Sequence, residues 1–217
     1  LHRVDRRQRQ MCIRDRVSAY FESMVCAADV VRKALAPVLP GVVTAGQFGS
    51  VCTMNLSGQI PETGEHYLLV EPLVGGWGAA VGKDGESGQF CVGNGETSNI
   101  PVEITEARYG VMVEQYAFSH NTAGAGEFRG GNGVVLDYRI LSDDADISSF
   151  FGRGITTPWG INEGEEGSCN YVQVFDEQGN EKARFSRTSR YPLKKGDLIR
   201  LVTGNGGGWG NPNKRPK

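Results

Sequence analysis

The chain has 217 residues, a formal net charge of −2 and 39% hydrophobic residues, a composition typical of a folded globular protein. The small net charge excludes the basic field with which dedicated nucleic-acid-binding proteins attract phosphates. No apolar run approaches the roughly 18 residues of a membrane-spanning helix, so we expect neither nucleic acid nor membrane as a partner. Glycine is the outlier, because 31 residues is about twice its average usage.

Residues 1–16 differ in composition from everything that follows. They contain six arginines and two aspartates, with no apolar period and no helix cap. They lack the serines of a mitochondrial presequence and the apolar stretch of a secretory signal. The string RQRQMCIRDR resembles translated sequencing-adaptor read-through, a contaminant of metagenomic gene models. We therefore expect residues 1–16 to be non-native and the native sequence to begin at Val17, with its upstream part missing.

One helix is predicted over residues 18–36. Ser18 is its candidate N-cap, and prolines and a glycine follow its end. Apolar residues recur at helical spacing along one face, namely Tyr20, Met24, Ala27, Val31 and Leu35. The pattern is compatible with the tail of a longer buried element whose packing partners are missing.

After Gly41 the apolar period changes to two, which predicts β-strands. The expected strands are residues 66–70, 89–92, 111–119, 134–141, 147–151, 171–175, 182–185 and 198–202. Residues 176–180 carry the signal of a hairpin loop. The predicted fold is therefore mainly β (α+β), with one N-terminal helix and many glycine-rich turns.

The five cysteines are widely spaced and form no CxxC pair, which favours reduced thiols in a cytoplasmic protein. Cys26 and Cys91 are expected to be buried small hydrophobes. Neither His66 nor His120 has a second ligand at i+2 to i+4, so no local metal site is predicted. Signatures for nucleotide binding and for a nucleophile elbow are absent as well. We therefore expect this segment to bind no cofactor by itself.

Four glycine-rich clusters carry most of the candidate chemistry. In the first, Gly75 and Gly76 precede Trp77, an arrangement that suits either a substrate wall or a tight turn beneath a core tryptophan. The second contains Asn99, followed by Glu103 and Glu106. These two carboxylates could serve acid–base work or metal binding, or they could form a cap or a solvated face.

The third cluster spans residues 119–133 and is the densest in chemistry. Successive backbone N–H groups of a glycine loop can form an anion nest, and Arg129 offers a bidentate fork for a carboxylate or phosphate. The alternative is an arginine that ties the loop to backbone carbonyls. The fourth cluster, residues 203–212, contains Trp209, which favours a specific loop over a flexible linker.

Together, the four clusters resemble the hydantoinase B / 5-oxoprolinase family, which includes acetone carboxylase alpha-type subunits. The motifs that carry the resemblance occur in order: GGWGA and DG (residues 75–79 and 84–85), N-x-P-V-E-x-x-E (99–106), G-A-G-x-x-R-G-G-x-G (124–133) and G-G-G-W-G-x-P (206–212). The similarity covers about residues 20–212. It implies that residues 17–217 are the C-terminal portion of a larger, cytoplasmic subunit.

The resemblance also implies an activity. Family members hydrolyse cyclic amides such as hydantoins or 5-oxoproline through a phosphorylated intermediate, with ATP bound by a hydantoinase A-type partner or fused domain. The family's divalent-metal ligands lie in the upstream half, so none is assigned here, and the segment alone is expected to be inactive. The alternatives are an ATP-dependent ketone carboxylase of the alpha type, or a non-catalytic scaffold at a subunit interface.

The resemblance gives the candidate residues two kinds of role. Arg129, with the amides of residues 124–133, is expected to bind an anionic oxygen or orient the adjacent subunit, while Glu103 or Glu106 assists. The remaining candidates are expected to bind substrate or to hold the loops: Gly75, Gly76, Trp77, Asn99, His120, Gly124, Gly126, Gly130, Gly131, Gly207 and Trp209.

Overall fold

The structure, a computed structural model, describes residues 20–92, 98–120 and 123–215. The segment expected to be non-native, the candidate cap Ser18 and part of the second glycine cluster lie outside these residues. Helix α1 spans Tyr20–Leu35 and helix α2 spans Val102–Arg108. The strands are β1 (Thr53–Gln59), β2 (His66–Glu71), β3 (Val111–Phe118), β4 (Val134–Ile140), β5 (Ala145–Phe150), β6 (Tyr171–Phe175), β7 (Glu181–Phe185), β8 (Arg187–Leu193) and β9 (Leu198–Val202).

These strands form two antiparallel sheets, which confirms the mainly β prediction. One has the order β2-β1-β5-β8 and the other the order β3-β4-β9-β6-β7. Buried residues alternate with more exposed ones along β1, β2, β5 and β6. Residues of both sheets join one hydrophobic core, with Leu56 and Ile147 from the first sheet and Leu136 and Ile199 from the second. The predicted hairpin connects β6 to β7, where the N–H of Asp176 donates to the carbonyl of Asn180.

The sequence prediction differs from the structure in four elements. Residues 89–92 form no strand, because Gln89 makes only an isolated bridge with Gly75. Two strands, β1 and β8, were not predicted, since β1 is rich in Asn, Ser and Gly and β8 contains Pro192, residue types depleted from strands. Pro192 is tolerated because β8 lies at a sheet edge. The short helix α2 was also missed.

Helix α1, Tyr20–Leu35, lies within the predicted residues 18–36, but its apolar face points outward. Met24, Val31 and Leu35 are 45%, 58% and 42% exposed. The side that packs on the protein instead carries Val25 and the fully buried Asp29. Cys26 is consequently exposed, so the expectation that it is buried was wrong, whereas Cys91 is buried as expected. None of the helices in the described residues combines the length and the apolar character that a membrane span requires.

Candidate functional site

Three of the four glycine clusters meet in one place, although they are far apart in sequence. The N–H of Gly76 in the first cluster donates to the carbonyl of Gly204 in the fourth, at 3.0 Å. The N–H of Gly131 in the third cluster donates to the carbonyl of Trp77 at 2.8 Å, and the N–H of Gly206 donates to the carbonyl of Gly131 at 2.9 Å. We call the segments 45–49, 75–79, 85–88, 124–133, 158–168 and 203–210 the glycine bundle.

The glycine bundle is held together by backbone contacts in which there is no room for side chains. A Cβ at Gly131 would overlap the carbonyl oxygen of Glu86, and a Cβ at Gly206 would overlap that of Trp77. A glycine allows two backbones to approach this closely because it has no Cβ. The seven glycines that we expected to bind substrate or hold loops are all buried here: Gly75, Gly76, Gly124, Gly126, Gly130, Gly131 and Gly207. A Cβ at Gly75 would overlap the ring of Phe48, and a Cβ at each of the other six would overlap backbone atoms.

The two candidate tryptophans fasten the glycine bundle to its surroundings. The indole N–H of Trp77 donates to the carbonyl of Phe90 at 2.8 Å, and its ring packs against the main core. The indole N–H of Trp209 donates to the carbonyl of Pro40 at 3.0 Å, and its ring lies 5.9 Å from that of Phe128. Both rings thus have a packing role, with their polar atoms already paired inside the protein.

Most amides of the third cluster are also already paired. Gly124, Phe128, Gly130 and Gly131 donate their N–H groups to backbone carbonyls of the bundle, and the N–H of Arg129 donates to Asp84 Oδ1 at 2.8 Å. An anion nest requires N–H groups that are free to converge on one ligand. In this structure these amides are therefore not available to an anion.

Both backbone polar groups of Arg129 are hydrogen-bonded, because its carbonyl also accepts the N–H of Gly85 at 2.8 Å. Its side chain is half-buried, and among the described residues no side chain hydrogen-bonds to its guanidinium. Asp84 instead pairs bidentately with Arg215, at 2.8 and 2.7 Å. This pairing, followed by the Arg129 N–H and the nearby Arg129 charge, lowers the pKa of Asp84. Arg129 thus has a fixed backbone at the rim of the bundle, and its guanidinium has no side-chain hydrogen-bond partner among the residues that the structure describes.

Glu103 and Glu106 lie on α2 and are both exposed. Glu106 Oε1 accepts the N–H of Val113 at 2.8 Å, which ties α2 to the start of β3. No hydrogen bond in the described part of the chain links either carboxylate to Arg129. The described hydrogen bonds therefore do not link these three candidates to one another.

Asn99 borders a small cleft beside β3. Its side-chain amide donates to the hydroxyl of Tyr116 at 3.1 Å. The cleft has a volume of about 260 Å³ and is lined by Val74, Gly88, Asn99, Tyr116, Ala117, Phe118 and Val134. His120 lies just beyond β3 and is exposed. Among the residues expected to bind substrate or hold loops, Asn99 therefore lines an open cleft whose other lining residues are mainly apolar.

Sequence reasoning missed a buried acid near this cleft. Glu71, at the end of β2, is 4% exposed and accepts a hydrogen bond from the hydroxyl of Tyr138. Burial raises the pKa of Glu71. Burial, and then the Glu71 charge, raise the pKa values of Tyr138 and Tyr116. The period-two pattern could have found Glu71, because Tyr67, Leu69 and Glu71 share the inward face of β2.

The residues that the structure describes contain no group of three or more His, Cys, Asp and Glu side chains that could hold a metal ion. These residues therefore do not fit the divalent metal that the resemblance implies for the family, and we derive no step through it.

The comparisons with known proteins agree with the four motifs. The family model described as hydantoinase B/oxoprolinase matches residues 15–212. A relative from Pseudomonas sp. (strain NS671), the B-type subunit of a putative D-/L-hydantoinase, is 31% identical over 198 residues, covering 91% of this chain and 33% of the relative. The chain therefore spans about a third of the length of this relative.

Two solved structures share the fold. The crystal structure of the ATP-dependent caprolactamase from Pseudomonas jessenii matches with a TM-score of 0.72 and 24% identity, covering 86% of this chain and 33% of that one. A nucleotide-free structure of acetone carboxylase matches with a TM-score of 0.68 and 19% identity. The match covers 80% of this chain and 27% of the acetone carboxylase chain. These likenesses concern the fold alone, whereas the family match covers almost the whole chain. The chain is a member of the hydantoinase B/oxoprolinase family.

Proposed function

We propose that this chain is part of the B-type subunit of an ATP-dependent cyclic amidohydrolase that opens hydantoin or 5-oxoproline-like lactam rings. The observation that carries the proposal is the family match over residues 15–212, which includes all four glycine clusters. A hydantoinase A-type subunit or fused domain is the proposed partner and supplies the bound ATP, in the cytoplasm. The divalent metal belongs to the part of the protein upstream of this segment.

The chemistry explains why such a reaction consumes ATP. Resonance makes the lactam carbon a poor electrophile for water. Transfer of the γ-phosphoryl group of ATP to the lactam oxygen forms a P–O bond, releases ADP and turns that oxygen into a leaving group. A first water molecule then attacks the same carbon and loses a proton, and cleavage of the C–N bond, with protonation of the nitrogen, opens the ring to an amine and an acyl phosphate. A second water molecule hydrolyses the acyl phosphate, which releases phosphate and leaves the carboxylate. Anionic oxygens develop in these steps and need fixed donors.

Arg129 is the residue of this chain that suits that need best. Its guanidinium offers a positive charge and several donors in a rigid plane. Its backbone is fixed by Asp84 and Gly85, so the root of the side chain has a defined position at the rim of the bundle. We assign Arg129 to binding an anionic oxygen or to orienting the A-type subunit. Glu106 and Glu103 assist by organising α2 and β3, and neither is assigned as a base.

The test is an assay of the complete subunit with its ATP-binding partner. Removing one donor to a developing oxyanion typically costs about 10²–10³ in turnover, so Arg129→Ala should lose about that factor and Arg129→Lys should recover part of it. The control is Arg108→Ala, which removes an exposed arginine of α2. Unchanged ring opening by Arg129→Ala, in a subunit that is folded, would remove the role of Arg129.

The subunit assignment has its own test. The complete gene is recovered from the source DNA across the position of Val17, and the product is assayed with its neighbouring ATPase on hydantoin and 5-oxoproline. We expect one ADP to be released for each ring that opens. A product that opens neither ring refutes the amidohydrolase assignment, and consumption of acetone with bicarbonate favours the carboxylase alternative, whose fold this chain shares.

A scaffold or subunit-interface module is the second candidate function. The observation in its favour is that the site glycines use their backbone groups to hold the glycine bundle together. Such a module binds the A-type partner without touching substrate. Co-purification of the 217-residue chain with that partner, combined with normal turnover of Arg129→Ala, would favour this function. Failure to co-purify would count against it.

A further inference from the structure

Helix α1 exposes the apolar side that a helix normally buries. Val30 and Val31 are 66% and 58% exposed, and the apolar surface continues past the helix to Val38 and Val42, each 77% exposed. We call this surface the outer stripe, and it consists of Met24, Val30, Val31, Leu35, Val38, Leu39 and Val42. Contiguous apolar surface of this kind marks an interaction site.

The opposite side of α1 is fixed to the protein by polar contacts. Glu22 Oε1 accepts hydrogen bonds from the hydroxyl of Ser50 and the N–H of Val51, both at 2.7 Å. Asp29 is fully buried and forms an ion pair with Arg153.

The same carboxylate of Asp29 accepts the indole N–H of Trp159 at 3.3 Å, and Arg32 donates to the hydroxyl of Thr44. A rotation of α1 that buried the outer stripe would leave the carboxylate of Asp29 without its cation. Such a rotation is strongly unfavourable, because the other charge of the pair stays buried and unpaired. The outward direction of the stripe is therefore built into the sequence.

The composition of the exposed side specifies an apolar partner. Residues 22–42 contain four charged side chains, and three of them, Glu22, Asp29 and Arg32, belong to the inward side. Lys33 is the charged residue that remains exposed. A partner surface with its own row of apolar side chains fits this arrangement, whereas an acidic or basic surface would find almost no counter-charge.

Two facts point to the partner. Stable interfaces between separate proteins involve about 20–30 residues a side, whereas the outer stripe offers seven, too few for a homodimer on its own. Packing within one polypeptide does not carry the entropy cost of association, so a small apolar surface suffices there. The matched region is 33% of the hydantoinase relative, which leaves two thirds of such a subunit to provide the surface.

We propose that the outer stripe is the surface on which this segment packs against the remaining two thirds of a B-type subunit. The proposal goes beyond the catalytic function, since it concerns assembly and requires no activity. The stripe is then buried in the complete subunit and exposed in the segment alone. A charge placed on it should be harmless in the segment and damaging in the complete subunit.

The experiment compares Val31→Lys with Ile155→Lys in two settings. Ile155 is 94% exposed and lies outside the stripe, so it is a matched apolar-to-lysine control. In the 217-residue chain, both variants should have the thermal midpoint of the unmodified chain, and light scattering should show monomers. In the complete polypeptide encoded by the source gene, Val31→Lys should lower the midpoint and reduce the soluble yield several-fold, whereas Ile155→Lys should do neither.

Four results would overturn the proposal. Equal effects of the two variants in the complete polypeptide would show that the stripe is not buried there. Unfolding of the 217-residue chain by Val31→Lys alone would show that the chain covers its own stripe. A dimer that Val31→Lys converts to a monomer would assign the stripe to a second copy. A source gene that encodes no further B-type sequence would mean that the remaining two thirds of the subunit, which we propose to cover the stripe, do not exist in this protein.

Discussion

The two-sheet core and the glycine bundle are both buried, yet the core is stabilised by contacts between side chains and the bundle by contacts between backbones. In the core, side chains such as Leu136 and Ile147 fill the space between the sheets, and backbone pairing is regular. In the bundle, backbones lie against each other and side chains are excluded at positions such as Gly131 and Gly206. The core should therefore tolerate changes of shape, while the bundle should tolerate no added atom.

The largest expected effect comes from adding one methyl group to the glycine bundle. Gly131→Ala places a Cβ against the carbonyl oxygen of Glu86, which cannot move without breaking backbone hydrogen bonds. Because overpacking of well-packed sites typically costs 1–3 kcal/mol and occasionally more, we expect a loss of about 3 kcal/mol or more. Urea denaturation gives the change in the free energy of unfolding.

The control for this substitution is Gly41→Ala. Gly41 has no atom near the position of an added Cβ, so the same chemical change should leave stability almost unaltered. If Gly131→Ala and Gly41→Ala have equal midpoints, the bundle is less tightly packed than the structure indicates, and the contrast with the core fails.

A smaller effect is expected in the core when a side chain changes its shape but not its volume. Leu136 is 2% exposed on β4, and Leu136→Met keeps its volume nearly constant. Such swaps usually cost less than about 1.5 kcal/mol, whereas Leu136→Ala should cost about 2–5 kcal/mol because a cavity remains. Denaturation of both variants sharpens the comparison. A Leu136→Met variant as unstable as Gly131→Ala would remove the difference between the two regions.

The same difference explains what could be predicted from sequence. Strands β6 and β9 were placed residue for residue, because alternating Val, Leu and Ile side chains carry a local signal. Strand β1 was missed because its Asn, Ser and Gly residues conceal the two buried positions Met54 and Leu56.

The glycine bundle could not be predicted in the same way. The sequence identifies the clusters and allows a packing role for the first one. The hydrogen bond from Gly76 to Gly204, however, joins segments that are far apart in sequence and share no periodic pattern. Glycine content alone does not say which backbone will lie against which. The outward direction of the apolar face of α1 could not be predicted either. Helical spacing shows that apolar residues share one face of the helix, but it does not show whether that face points to the core or to solvent.

Glu71 allows a test of the core by pH. Because burial raises its pKa in the folded protein, the folded state binds this proton more tightly than the unfolded chain does. The resulting stabilisation is fully present below the ordinary pKa of glutamate, and it is lost as the pH rises through the higher, folded-state pKa. We therefore expect the unmodified chain to become less stable over that interval.

In Glu71→Gln this part of the pH dependence should disappear, whereas the exposed control Glu62→Gln should retain it. Denaturant titrations at several pH values measure the slope. A slope that Glu71→Gln leaves unchanged would mean that Glu71 titrates normally, and that the core accommodates its charge as well as solvent does.

The smallest effect is expected at the rim of the glycine bundle, where Arg215 pairs with Asp84. Both side chains are substantially exposed, at 41% and 49%, and solvent-exposed ion pairs contribute about 0.2–1 kcal/mol. Arg215→Ala should therefore lower the free energy of unfolding by no more than that at neutral pH. The pairing lowers the pKa of Asp84, so the loss should fade as the pH falls through the folded-state pKa. It should also fade with added salt. A loss as large as that of Gly131→Ala would show that the bundle depends on charges at its rim and not on its packed backbones.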